Sequence, residues 1–114
     1  MAIEVEVSTR DRVTVVTVAG EIDGGSAPGL QARILPLLQQ DSSLILDLRS
    51  VTYMSSAGLR VLLLLYRQAM SRNGRVALAG VAETIKDTMA VTGFLKFFAV
   101  ADTVDQALTT LQQA

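Results

Sequence analysis

Residues 43–66 read SLILDLRSVTYMSSAGLRVLLLLY. The first six, SLILDL, are almost continuously apolar, with no polar–apolar alternation. That pattern belongs to a strand covered on both faces, as in a parallel sheet. Val51 to Tyr66 then carries two adjacent serines, Ser55 and Ser56, a glycine at 58 and a nearly unbroken apolar run. A helix is expected there from about Ala57 to Ser71. A buried strand running into a helix is half of a β-α-β unit, so this stretch sets the fold class.

The flanks agree. AIEVEVS (2–8) alternates Ile3, Val5 and Val7 against Glu4 and Glu6, the pattern of a half-exposed strand. RVTVVTVAGEI (12–22) is a second strand, and Asp11-Arg12 between them reads as a tight hairpin, making the two antiparallel neighbours. In DGGSAPGLQARILPLLQQ (23–40), Ser26 with Pro28 marks a helix start, because proline lacks the N–H that a first turn leaves unpaired. Leu30, Ile34 and Leu38 recur on one face, and Pro36 should shorten or kink this helix. After the central stretch, Asn73-Gly74 turns into a buried strand, RVALAG (75–80). VAETIKDTMAVTG (81–93) is a helix closed by Gly93. KFFAV (96–100) is expected to be a last short strand. DTVDQALTTLQQA (102–114) closes the chain as an amphipathic helix, with Thr103 and Gln106 at capping-box spacing and Val104, Leu108 and Leu111 as its apolar stripe. The order β-β-α-β-α-β-α-β-α predicts one α/β domain spanning 1–114. Its mixed sheet has four to five strands, the first antiparallel, with about four helices.

Composition removes whole classes of function. The 114 residues suit one core, and half of them are hydrophobic. Ten Lys and Arg face eleven Asp and Glu, a net charge of -1, with no basic cluster to hold nucleic acid or an anionic membrane surface. There is no cysteine and no histidine. Disulfides, thiol catalysis, Ser-His pairs and the common zinc sites are thereby excluded, and no metal or cofactor is expected. The longest apolar run falls well short of the ~20 residues that cross a bilayer, and the start lacks a signal-peptide pattern. The expected setting is the cytoplasm, without membrane insertion.

The serines therefore carry the chemistry, and two readings of them are compatible. A serine between a strand's exit and a helix's entry caps the helix by accepting a first-turn N–H. The same free N–H groups and helix dipole also stabilise an added phosphate. A nucleophile elbow needs a glycine ahead of the serine and a base nearby; here that glycine is missing, there is no histidine, and Lys86 and Lys96 sit in segments with no visible match to such a site. Asp47 at a strand end suggests a phosphate-accepting receiver domain, but those need an acidic pair after the first strand, where only Asp11 stands. On the following helix Arg60, Arg67, Gln68 and Ser71 share one side, with Val61, Leu62, Leu65, Ala69 and Met70 around the remainder. Leu64 falls about 40° from Arg60, within the polar stripe. It is either an ordinary exposed leucine or an apolar spot for a partner protein.

LILDLRSVTYMSSAGLRVLL (44–63) resembles the core signature of STAS domains, the sulfate transporter and anti-sigma factor antagonist family. It is most similar to the stand-alone bacterial anti-sigma factor antagonists. VAGEIDGGSAPGL (18–30) and VTGFLKFFAVADTVDQAL (91–108) support the resemblance, which covers essentially the whole chain. It implies a non-enzymatic regulator that binds an anti-sigma factor serine kinase and so releases a sigma factor. Phosphorylation of the serine at the helix start, here Ser56 with Ser55 as second choice, would switch it off; a metal-dependent serine phosphatase would reverse the mark. Gly58-Leu59 fill the usual Gly-Leu positions, and Asp23 matches an aspartate beside the switch. The partner surface implied is Asp23, Met54, Ser55, Ser56, Ala57, Gly58, Arg60 and Leu64. The family usually carries aspartate immediately before the phosphorylated serine, and this chain carries Ser55. The alternative role is an accessory or scaffold subunit of a transporter or signalling complex, acting without a phospho-switch.

Overall fold

The computed structural model describes residues 3–112. Strands β1 (Glu4–Arg10) and β2 (Val13–Ile22) form the hairpin, and helix α1 (Ala27–Ile34) follows. Then come β3 (Ser43–Met54), α2 (Ser56–Ser71), β4 (Arg75–Ala79), α3 (Glu83–Thr92), β5 (Ala99–Ala101) and α4 (Val104–Gln112). The sheet runs in chain order, β1-β2-β3-β4-β5. β1 is antiparallel to β2, and the other neighbours are parallel. The α/β architecture expected from the element order is the one observed. Asp11 and Arg12 both adopt positive φ, 51° and 69°, and Arg10 pairs directly with Val13. This is the two-residue turn whose twist matches that of the flanking strands.

The run SLILDL is covered on both faces. Leu44, Leu46 and Leu48 join the larger core with α1, α2 and α3, through Leu30, Ile34, Leu62, Leu65, Ile85 and Met89. Ile45 points the other way, into a smaller core with Val13, Val15 and the α4 residues Ala107, Leu108 and Leu111. Ala77 and Ala79 of β4 face α4 as well, and their small size lets that helix lie close to the sheet. Pro36 acts as expected: α1 ends at Ile34 and one 3₁₀ turn, Leu35–Leu37, replaces its continuation. Gly93 closes α3 in the left-handed conformation, φ 82°.

One expectation needs correction. KFFAV is not one strand: Leu95–Phe97 forms a 3₁₀ turn, and β5 is Ala99–Ala101. The cause is the α3 terminus, where Phe94 N–H returns to the Met89 carbonyl and the chain keeps turning before it extends at Phe98. Phe97 and Phe98 pack on Tyr66, with ring centres 5.4 and 5.6 Å away. Met70 stands at the margin of the apolar arc of α2, in the helix's last turn, and is 55% exposed.

Candidate functional site

β3 is twelve residues long, and only its first part pairs with β4; the remainder continues beside β2 alone, as far as the pair Ile22–Met54. Both strands therefore end together, placing the loop after β2 beside the start of α2. The junction is bonded: Ser55 N–H donates to the Ile22 carbonyl at 2.8 Å. Gly58 makes the close approach possible. A Cβ there would lie 2.7 Å from Met54 Cγ, 2.8 Å from Ile22 Cγ2 and 3.1 Å from the Ile22 carbonyl oxygen. Any other residue would push β2 and α2 apart.

The two serines divide the roles. Ser55 is the N-cap, with extended backbone, and its Oγ accepts the Gly58 N–H at 3.5 Å, a long bond. Ser56 is the first residue of α2; it is exposed, and its hydroxyl has no hydrogen-bond partner among the described residues. The N–H groups of Ser56 and Ala57 point out of the first turn without an intrahelical acceptor. Arg60 lies one turn on, exposed and on the same side as Ser56.

Asp23 is held at the other side of the junction. Its carboxylate accepts N–H groups from Ser26 at 3.1 Å and Gly25 at 3.0 Å. These donors, Ser26 first and Gly25 next, hold its carboxyl below the ordinary carboxylate range. Ser26 is buried; its hydroxyl donates to the Glu21 carbonyl at 2.7 Å and accepts the Asp23 N–H at 3.0 Å. Ser26 thus marks the start of α1 without capping it through its side chain: it ties the loop that aims Asp23. Sequence reasoning missed this role, although the D-x-x-S spacing after a strand signals such a side-chain turn.

An apolar groove of about 350 Å³ opens beside the start of α2, between α1 and α2. Gly24, Ala27, Pro28 and Gln31 form one wall, Ala57, Arg60, Val61 and Leu64 the other. Leu64 is accordingly half-buried, a wall of the groove and not a lone exposed leucine. The α1 wall had no signal of its own in the sequence. Asp23, Ser55, Ser56, Ala57, Arg60 and Leu64 all retain exposed or half-exposed surface at this end. Met54 and Gly58 are buried beneath it and shape the junction from inside. Asp47 lies elsewhere: it is buried, accepts the Arg49 N–H, and borders the face that α4 covers.

Among the described residues no group of acidic side chains could hold a metal, and no helix is long and apolar enough to cross a membrane. The STAS domain pattern matches residues 4–107. The chain is 33% identical over 93 residues to the anti-sigma-B factor antagonist of Bacillus subtilis (strain 168), across 82% of this chain and 85% of that one. It is 25% identical over 114 residues to the anti-sigma F factor antagonist of Paenibacillus polymyxa, across 98% and 97%. The crystal structure of an anti-sigma factor antagonist from Mycobacterium paratuberculosis matches with a TM-score of 0.87 at 31% identity, over 96% of this chain and 94% of that one. With its sheet order, its β3–α2 junction and these relatives, the chain belongs to the STAS-domain family, among the anti-sigma factor antagonists, which are regulators and not enzymes.

Proposed function

We propose that the protein binds an anti-sigma factor serine kinase through the end of the molecule formed by Asp23, the start of α2 and the α1–α2 groove, and that phosphorylation of Ser56 ends the complex. The observation that carries this is the division of the serines. Ser55 is engaged as the cap, while the Ser56 hydroxyl is exposed and unbonded at the first position of the helix. A kinase can reach Ser56 without unfolding anything. The phosphate adds a charge of about -1.5 to -2. Free, it is stabilised by the Ser56 and Ala57 N–H groups and by Arg60 one turn away. Inside a protein interface it would be stripped of water beside Asp23, and the complex is opposed. Binding of the unmodified form would free a sigma factor, and a metal-dependent serine phosphatase would reset the cycle.

The test is incubation of wild type, Ser56→Ala and Ser55→Ala with the cognate kinase and ATP, followed by intact-mass spectrometry. One phosphate is expected on wild type and Ser55→Ala, and none on Ser56→Ala. Equal uptake by Ser56→Ala would end the assignment. Ser56→Asp should bind the kinase more weakly than wild type; unchanged binding would remove the switch and favour a scaffold role.

A further inference from the structure

The two edges of the sheet are built differently. β5, at one edge, has only three residues. A short edge offers little backbone to another chain. β1, at the other edge, has seven residues, no proline, and an uninterrupted register with β2. Six of its seven residues are exposed, and no strand among the described residues pairs with its outer side. Its central residue, Val7, is 44% exposed, an apolar side chain on an open edge. A proline and a bulge are absent from this strand, and the charged side chains it does carry, Glu4, Glu6 and Arg10, are of both signs.

The side chains of β1 suggest what occupies this edge. Two copies that pair antiparallel about a two-fold axis normal to the sheet keep each residue on its own face. Opposite residues must then have the same parity in the strand. With EVEVSTR centred on Val7, Glu4 faces the partner's Arg10, Glu6 faces the partner's Ser8, and Val5 faces the partner's Thr9. Val7 meets the partner's Val7 on the axis, a cross-strand pair of β-branched residues. The opposite charges at the two ends meet twice, once at each end of the pairing. Centring on Glu6 would instead set two carboxylates against each other and leave Arg10 without a facing residue within β1. Centring on Ser8 would leave Glu4 unpaired and shorten the contact. Only the Val7 register uses all seven residues with no like-charge contact.

We propose that this chain self-associates through β1, in a two-fold dimer centred on Val7 that joins two five-stranded sheets into one of ten. In the single copy Arg10 pairs with Asp105 of α4, but both side chains are largely exposed. Such a pair contributes little, so exchange to Glu4 of a second copy is not opposed strongly.

The test is sedimentation velocity of the full chain over a wide concentration range. Wild type is expected to dimerise with rising concentration. Glu4→Arg and Arg10→Glu each create two like-charge contacts, and each should weaken dimerisation on the order of tenfold or more. An equimolar mixture of the two variants should recover the dimer, because each then faces its complement. Val7→Glu, which sets two carboxylates on the axis, is a second disrupting variant should Arg10→Glu disturb the fold by circular dichroism. A wild type that stays monomeric would overturn the proposal. So would single variants that dimerise as tightly as wild type, or a mixture that remains monomeric.

Discussion

Gly58→Ala is the sharpest probe of the junction between β2 and α2, because two general effects give it opposite signs. Alanine is a better helix former than glycine by about 1 kcal/mol, so propensity alone predicts a more stable protein. The surroundings predict otherwise. The new methyl would lie under 3 Å from both Met54 Cγ and Ile22 Cγ2. Ile22 is fully buried, and its carbonyl is tied to Ser55 N–H, so neither it nor the first turn of α2 can retreat freely. Extra methyl groups forced into a packed core cost roughly 1–3 kcal/mol, and the tightness here points to the upper half of that range. After the propensity gain, a net loss of about 1–2 kcal/mol is expected, or a Tm roughly 4–10 °C lower. Urea and thermal melts by circular dichroism measure it. In a Met54→Ala background, where one of the two close contacts is gone, the added cost should shrink. A Gly58→Ala protein as stable as wild type, or more so, would refute the close-approach reasoning outright.

Two further outcomes follow from the same site. Asp23 has its carboxyl held below the ordinary range, by N–H groups of Ser26 and then Gly25. Its ionised form therefore contributes stability that is fully present above the unfolded-state pKa and lost as pH falls through the lower folded-state value. The stability advantage of wild type over Asp23→Asn should be constant at neutral pH and decline through the acid range; a difference that does not change with pH contradicts the bonding described. Leu64→Glu alters a half-buried groove wall, so its melting temperature should stay close to wild type while kinase affinity, by titration calorimetry, drops about tenfold or more. A variant that unfolds, or one that binds unchanged, would count against the groove as a docking surface.

The fold was legible wherever local chemistry and packing pointed the same way. SLILDL could be read as a doubly covered strand because all its apolar positions are used, alternately by the two cores. Asp11-Arg12, Pro36 and Gly93 act through backbone restrictions that hold in any context. The misplaced β5 failed for the opposite reason. Lys96 and Phe97 have no local property that separates a strand from a 3₁₀ turn, and the contact with Tyr66 helps fix their place. In the site, Ser55 and Ser56 were visible as a helix start, but which one caps and which is free depends on the Ser55–Ile22 bond across the sheet. Ser26 and the α1 wall of the groove emerge only when two distant segments are brought together.

Shape and charge can be separated at Ser55, where the family usually has aspartate. The position requires a short side chain that accepts a first-turn N–H, and serine and aspartate meet that need about equally. The observed geometry shows the requirement met, with Ser55 extended and its Oγ on Gly58 N–H. What serine removes is a negative charge next to residue 56. A phosphate on Ser56 would then adjoin a neutral hydroxyl, with Arg60 one turn away. The modified state is less opposed electrostatically than it would be beside an aspartate. Asp23, in the loop after β2, keeps its own carboxylate fixed by the Gly25 and Ser26 N–H groups. On the proposed reading, discrimination between the two states then rests on the phosphate itself, and the replacement changes the charge background of the switch while its backbone geometry stays as the cap demands.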